Sequence, residues 1–428
     1  MNNKPAYIII PGYKRKSNKL LIFCCLVFLF LLIYAAIENE INPIEPQQVH
    51  LSYGEKVEDI RFTWSTIEED ESIVIIKKLE EREWRRYTGG KKKFKSSLIH
   101  SQYIYKVECI NLIAGKYEYS IGSNLLFNST FIVPENKKDK KTNLIIYGDL
   151  GYDNSRSIKF IEGELEENNI DSILHVGDFA YDLNGDGGKK GDNFMNLIQQ
   201  MSKRVPYMVC PGNHEYADNF SEYRNRFYMP GDSENLWYSW NIRNLHIISI
   251  STEVYYYKSQ EKLIDKQYKW LENDLKIANE SRRERPWIIV MGHRPMYCDT
   301  YDMDDCRYRN DKVKIGLEEL LYRYGVDVEI WAHEHNYQRM YPVYNDTSIR
   351  RDSPYLDLNI PIHIISGAAG CRENLDGFVR KKNDWSYIQV SQYGYGILSV
   401  IENKLHWIQK GLQENDMNIV DEFWLLKS

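Results

Sequence analysis

No basic stripe crosses the chain. Its 55 Lys and Arg are nearly balanced by 61 Asp and Glu, for a net charge of −6, and the cations cluster only in two short runs, 91–93 and 137–141. A nucleic-acid groove needs a concentrated positive field, so nucleic acid is not an expected partner, and both runs read as solvated loops. Internal repeats are missing, and the 33 tyrosines are spread along the chain rather than gathered into a low-complexity tract. Cysteine is sparse. Outside one apolar segment it occurs at Cys109, Cys210, Cys298, Cys306 and Cys371, an odd number that leaves at least one thiol free or intermolecular. Cys298 and Cys306 flank the polar loop "DTYDMDD" and are the candidate disulfide. Closing so short a loop contributes ~2.6 kcal/mol at best in the chain-entropy picture.

Long hydrophobic runs are also scarce, and a single one sets the expected compartment. Residues 20–37, "LLIFCCLVFLFLLIYAAI", carry no charge and follow a segment 1–19 that contains Lys14, Arg15, Lys16 and Lys19. The run from Leu20 to Ile37 is just long enough to span a bilayer, and it lacks a clean small-residue cleavage site. Two readings stay open, an uncleaved signal-anchor and a cleaved signal peptide. With the cations on the N-terminal side, both export the remainder. The expected locations are the cell surface, the extracellular space or the lysosome, as a type II membrane protein or a secreted one. Sequons at Asn128, Asn219, Asn279 and Asn345 are then candidate glycan acceptors on surface loops.

From residue 43 to 134 the segments "VHLSYG", "IRFTWST", "SIVIIKK", "QYIYKVECI", "YEYSIG" and "NSTFIVP" are short, rich in β-branched and aromatic residues, and separated by turn signals. They predict a β-sandwich of immunoglobulin or fibronectin III type. Nothing in this stretch looks catalytic. A lysine-rich linker, 135–142, follows. Beyond it, over 143–428, apolar runs alternate with helical patterns (155–168, 193–203, 260–279, 312–324), which predicts an α/β domain whose strands are buried.

Each apolar run of that second region ends in a residue suited to bind a metal. "IIYGDLG" ends in Asp149, "LHVGDFAY" in Asp178, "MVCPGNHE" in Asn213 and His214, "IIVMGH" in His293, and "IWAHEH" in His333 and His335. Asp149 and Asp178 are about one strand–helix–strand unit apart, and α/β sheets bind ligands beyond the carboxyl ends of their strands. Five strand ends thus converge on two carboxylates, an amide and several imidazoles, a donor set for two metal ions. His175, inside its strand, reads as a core or supporting residue. His50, His100, His246, His363 and His406 read as structural.

In this order, GDLG, GDFAYD, GNHE, GHRP and AHEH resemble the five motifs of the metallophosphoesterases. Tyr181, three residues after Asp178, narrows the resemblance to the purple acid phosphatases. The N-terminal sandwich makes the chain similar to their long two-domain form, and "MGHRPMYC" and "WAHEHNYQR" look most like the animal iron/zinc branch. The likeness runs from about residue 43 to "DEFWLL" at 421–426. It implies a metallophosphoesterase domain, a β-sheet sandwich flanked by helices. It also implies Fe(III) held by Asp149, Tyr181 and His335, with Asp178 bridging to a divalent ion, Zn first and Fe or Mn as alternatives, held by Asn213, His293 and His333. A phenolate and carboxylates are hard anionic donors that suit a trivalent cation.

The implied activity is acid phosphatase: a metal-activated hydroxide attacks a phosphomonoester, Asn213 and His214 contact the substrate, and His214 protonates the leaving group. A homodimer is compatible with the resemblance. The plant members carry further substrate histidines downstream of the GH motif, and "RPMYCDTYDMDDCRYRN" has none; Tyr297, Asp304 and Arg307 are the candidate replacements. Two rival functions remain. One is a phosphodiesterase or nucleotide-hydrolysing metallophosphoesterase, which Tyr181 and the missing basic groove disfavour. The other is a catalytically inactive surface binding protein, which would be expected to have lost a ligand, whereas all seven positions are filled.

Overall fold

A computed structural model describes residues 23–24, 26–29, 42–301 and 312–428. Residues 47–133 form two four-stranded antiparallel sheets. In the first, Gln47–Tyr53, Ile60–Thr66, Ser101–Cys109 and Gly90–Lys95 lie in that order. In the second the order is Arg85–Thr88, Ile73–Lys78, Gly115–Ile121 and Phe127–Val133. The inward residues meet across the gap, with Phe62 edge-on to Tyr119 and Phe131. The strands Arg85–Thr88 and Gly90–Lys95 correct the sequence reading. The lysines at 91–93 sit on a strand whose exposed face is charged, not in a loop.

The edge strand Gln47–Tyr53 is buried on both sides for a specific reason. Its free backbone amides are capped by the helix Lys189–Ser202: Gln48 donates to Asn196 Oδ1 at 3.0 Å and Val49 to Gln199 Oε1 at 2.7 Å. An unpaired edge would otherwise invite pairing with a foreign strand. These bonds fix the sandwich against the second region.

That region holds two seven-stranded sheets. The first runs Tyr207–Cys210, Ser172–Val176, Thr142–Tyr147, Gly394–Ile401, Lys404–Gln413, Asp416–Leu426, Tyr355–Leu356. The second runs Tyr238–Ile242, Leu245–Ser249, Trp287–Met291, Val328–Trp331, Ile362–Ser366, Tyr337–Met340, Ser386–Val390. The strands that carry the sequence motifs pair in parallel within each sheet. Their continuous apolar runs are fully buried, as expected for strands covered on both faces. Helices Ile158–Glu167, Lys189–Ser202, Glu261–Glu280 and Lys312–Arg323 match the predicted ones to within a few residues. The alternation legible in the sequence stops at residue 335, whereas the chain continues with mostly antiparallel strands that extend both sheets. Arg339 of the second sheet forks onto Asp421 of the first, Nε to Oδ2 at 2.6 Å and NH2 to Oδ1 at 2.8 Å, and Tyr337 donates to the same carboxylate at 2.6 Å.

Among the described residues no helix is long and apolar enough to cross a membrane. Most of the run at 20–37 lies outside them; residues 23, 24 and 26–29 are helical and exposed.

Candidate metal centre

All seven expected metal-binding residues meet where the parallel strands of both sheets end. Asp149, Asp178, Tyr181 and Asn213 follow strands of the first sheet, and His293, His333 and His335 follow strands of the second. The backbone bends sharply to present them. Asp149 (φ 59°), Asp178 (57°), Tyr181 (50°) and His333 (71°) are all in the left-handed region, which costs a non-glycine residue on the order of 1 kcal/mol each. Gly177 (φ +83°) permits the turn before Asp178, and a Cβ there would come within 2.4 Å of His293 Nδ1.

Two groups of donor atoms result. Tyr181 Oη lies 3.0 Å from Asp149 Oδ1 and 2.7 Å from His335 Nε2, and the last two are 3.4 Å apart. Asp178 Oδ2 lies 3.1 Å from His293 Nε2, which lies 3.1 Å from Asn213 Oδ1. One ligand atom each from Asp178, His293 and His333 falls within a 4.8 Å cluster. Ligands ~2.1 Å from an ion and at right angles are ~3 Å from one another, so these spacings fit first coordination spheres.

The supporting bonds aim the imidazoles. His293 Nδ1 donates to Val176 O and His335 Nδ1 to Asn374 O, both at 3.0 Å, which leaves each Nε2 as the lone-pair donor facing the cluster. Asp376 accepts the His335 amide at 2.6 Å.

The electrostatics call for cations. Burial alone would lower His293 and His335, yet Asp178 raises His293 to about 10 and Asp149 raises His335 to about 12. Burial raises the Tyr181 phenol well above its ordinary value, and the charges of Asp149 and Asp178 raise it further. A phenolate at that position therefore requires a compensating cation.

His214 sits beside this cluster. Its amide donates to Asp178 Oδ1 at 3.0 Å, its Nδ1 is 2.5 Å from Asp182 Oδ1, and its Nε2 is 3.7 Å from Glu373. Burial opposes protonation, but Asp178 and then Asp182 raise the ring to about 9. Arg372 braces Asp182 at 3.3 Å.

Three residues inside the quoted motifs were not assigned to the site from the sequence. Glu215 is buried and accepts three backbone amides at 2.9 Å each, those of Asp178 and Gly212 on Oε2 and that of Phe179 on Oε1. It is the last residue of GNHE, as Asp182 is of GDFAYD, and both stood inside quoted motifs. Arg294, of GHRP, lies 2.9 Å from His333 Nε2 and 3.0 Å from the buried Glu253.

Tyr297, in contrast, is not at the site. Its side chain is buried against His363 and Trp385 and donates to Glu318, so its sequence-based role as a substrate contact is corrected. Asp304 and Arg307 lie outside the described residues. So does Cys306; Cys298 is disulfide-bonded, and Cys109, Cys210 and Cys371 are free and buried. His175 is a core residue, with Nδ1 on the Tyr207 hydroxyl at 2.7 Å. The four sequon asparagines are exposed, but only Asn345 lies in a turn; Asn128 is on the strand Phe127–Val133, and Asn219 and Asn279 are on the helices Ala217–Arg226 and Glu261–Glu280, which corrects the expectation of surface loops.

The calcineurin-like phosphoesterase family matches residues 142–337, and the iron/zinc purple acid phosphatase-like C-terminal family matches 360–422. Acid phosphatase type 7 of Danio rerio is 42% identical over 410 residues, covering 90% of this chain and 91% of its own. The chain belongs to the purple acid phosphatase family. Like its relatives it is a metal-dependent acid phosphatase, acting on phosphoesters. Acid phosphatase type 7 of Homo sapiens is 39% identical, covering 89% of this chain and 91% of its own. The purple acid phosphatase PPD1 from yellow lupin seeds shares the fold, with a TM-score of 0.76 at 20% identity over 91% of this chain and 75% of that one.

Proposed function

We propose that this phosphatase works through a dinuclear Fe(III)–M(II) centre, with zinc the first candidate for the divalent ion and iron or manganese the others. Asp149, Tyr181 and His335 would hold the ferric ion, Asn213, His293 and His333 would hold the divalent one, and Asp178 would serve both. The observation that carries this reading is the mutual contact of the Tyr181 hydroxyl, Asp149 and His335 at 2.7–3.4 Å, since a tyrosine at that corner suits a hard trivalent ion. When bound, the ions supply an acidified water as nucleophile and neutralise the phosphate.

The protein's own groups do the rest. Asn213 and His214 contact the phosphoryl group, and His214, held by Asp182 at 2.5 Å, gives its proton to the departing alkoxide. The chain being exported, with glycans on Asn128, Asn219, Asn279 and Asn345, a Cys298–Cys306 disulfide and a fibronectin III-like N-terminal domain, belongs to the same reading. Metal analysis with a visible spectrum of the purified protein tests it. One iron and one divalent ion per chain, a phenolate–iron absorption band and an acidic optimum with p-nitrophenyl phosphate are expected. A protein without iron, or active only above neutrality, overturns the ferric assignment.

A further inference from the structure

Two apolar side chains stand apart from all others described in their exposure: Leu98 at 105% and Ile99 at 95%, against 73% for the next, Ile315. They form the tip between Gly90–Lys95 and Ser101–Cys109. The strand register shows what shares that end of the sandwich. Pairs Gln47–Ser65, Thr66–Tyr103 and Lys95–Ser101 bring together the start of the first strand, the end of the second and this tip. Pairs Val74–Ile121 and Ile121–Phe127 add the connections 67–72 and 122–126, which expose Ile67, Leu125 and Leu126 at 53%, 40% and 57%.

The chain also enters here. The amides of Ile67 and Glu68 donate to Pro43 O at 3.0 and 2.9 Å. From Ile37, the last residue of the apolar run, to residue 42 is five peptide steps, at most ~17 Å of extended chain. The strand Phe127–Val133 leaves the sandwich at its opposite end, while on the tip side His100 lies 2.7 Å from Asp192 of the catalytic region, leaving Leu98 and Ile99 outward.

We propose that this end of the sandwich faces a lipid bilayer and that Leu98 and Ile99, with Leu126 at the same end on the facing sheet, enter its interface. Apolar side chains fully in water gain by transfer to the headgroup–acyl boundary, and the chain's own tether holds them within reach. The charges at this end do not oppose the approach as a block. The acidic connection is neutralised in part by Lys91 on Glu69 at 2.8 Å and Arg86 on Glu71 at 3.4 Å, while Lys92, Lys93 and Lys95 line the exposed strand that leads to the tip. The inference rests on the signal-anchor reading of residues 20–37.

The test uses the full chain reconstituted in phosphatidylcholine–phosphatidylserine vesicles, with Cys24 and Cys25 replaced by alanine. An environment-sensitive fluorophore is placed on Leu98→Cys, on Leu126→Cys, and on Glu83→Cys at the far end as a control; unchanged phosphatase activity verifies each fold. The Leu98 and Leu126 labels are expected to emit at shorter wavelength than Glu83, to be quenched by spin-labelled lipid and to be shielded from iodide. Carbonate extraction is run in parallel. Retention in the pellet with a Leu98 label as open to iodide as that of Glu83 overturns this inference alone. Release by carbonate overturns the anchor and the inference with it.

Discussion

Glu215 touches no expected metal-ligand atom, yet its replacement by glutamine should loosen the residues that carry them. The carboxylate accepts the amides of Asp178 and Gly212 on one oxygen and that of Phe179 on the other, each at 2.9 Å. Above about pH 8, where the wild-type side chain is ionised, Glu215→Gln keeps the first pair on its carbonyl but turns an NH2 group to the Phe179 N–H, donor against donor. One buried amide left unsatisfied costs ~1–3 kcal/mol. If Asp178 shifts to relieve it, the cost appears as metal affinity, ~10-fold for each 1.4 kcal/mol. Competition with a chelator should therefore show metal release ~10–100-fold easier than in the wild type, with lowered stability of the metal-free protein. The two proteins also differ in pH dependence. Burial and then Asp178 raise Glu215 to about 8 from 4.5, so the folded state holds a proton that the unfolded state has lost. That contribution is full below about 4.5 and declines as pH rises toward 8; glutamine, which does not titrate, should remove it. A variant with wild-type metal retention, denaturation midpoint and pH slope would refute the view that Glu215 pins the ligand loops.

The other expectations are simpler. Tyr181→Phe keeps the packed ring and should fold, retain some activity and lose the visible absorption band; an unchanged spectrum in an iron-containing protein excludes Tyr181 as a ligand. Asp178→Asn, which removes the charge proposed to serve both ions, should lose both metal and activity, and full turnover in that variant would sink the assignment. Asp421→Asn leaves Arg339, whose side chain is 1% exposed, buried without its counter-charge, so urea unfolding should report a loss of ~3–5 kcal/mol; an unchanged midpoint would refute that role for the pair.

How legible the molecule was depended on how local each signal is. Asp149, Asp178, Asn213, His293 and the pair His333 and His335 each follow a short apolar run, so strand and ligand are read together within about seven residues. The strands from residue 337 onward carry mixed patterns, because Lys404–Gln413 and Asp416–Leu426 have one face partly solvated and their partners are set by long-range pairing. Gly90–Lys95 is nearly all exposed, so composition alone makes it look like a loop. Tyr297 shows the converse error. Its neighbourhood to GHRP in sequence suggested the site, but its ring fits a core pocket lined by His363 and Trp385, and packing decided its direction. Glu215 was hidden because a carboxylate that binds only backbone amides leaves no spacing pattern.

The two donor groups have a mechanical side. Each draws on both sheets: Asp149 and Tyr181 meet His335 across the seam, and Asp178 and Asn213 meet His293 and His333. An ion in either position is therefore a rivet through two layers that are otherwise joined by side-chain packing and by clasps such as Arg339 on Asp421. Damage far from the centre that lets the layers part by a fraction of an ångström should register first as a loosened rivet, with metal escaping while the strands themselves still hold.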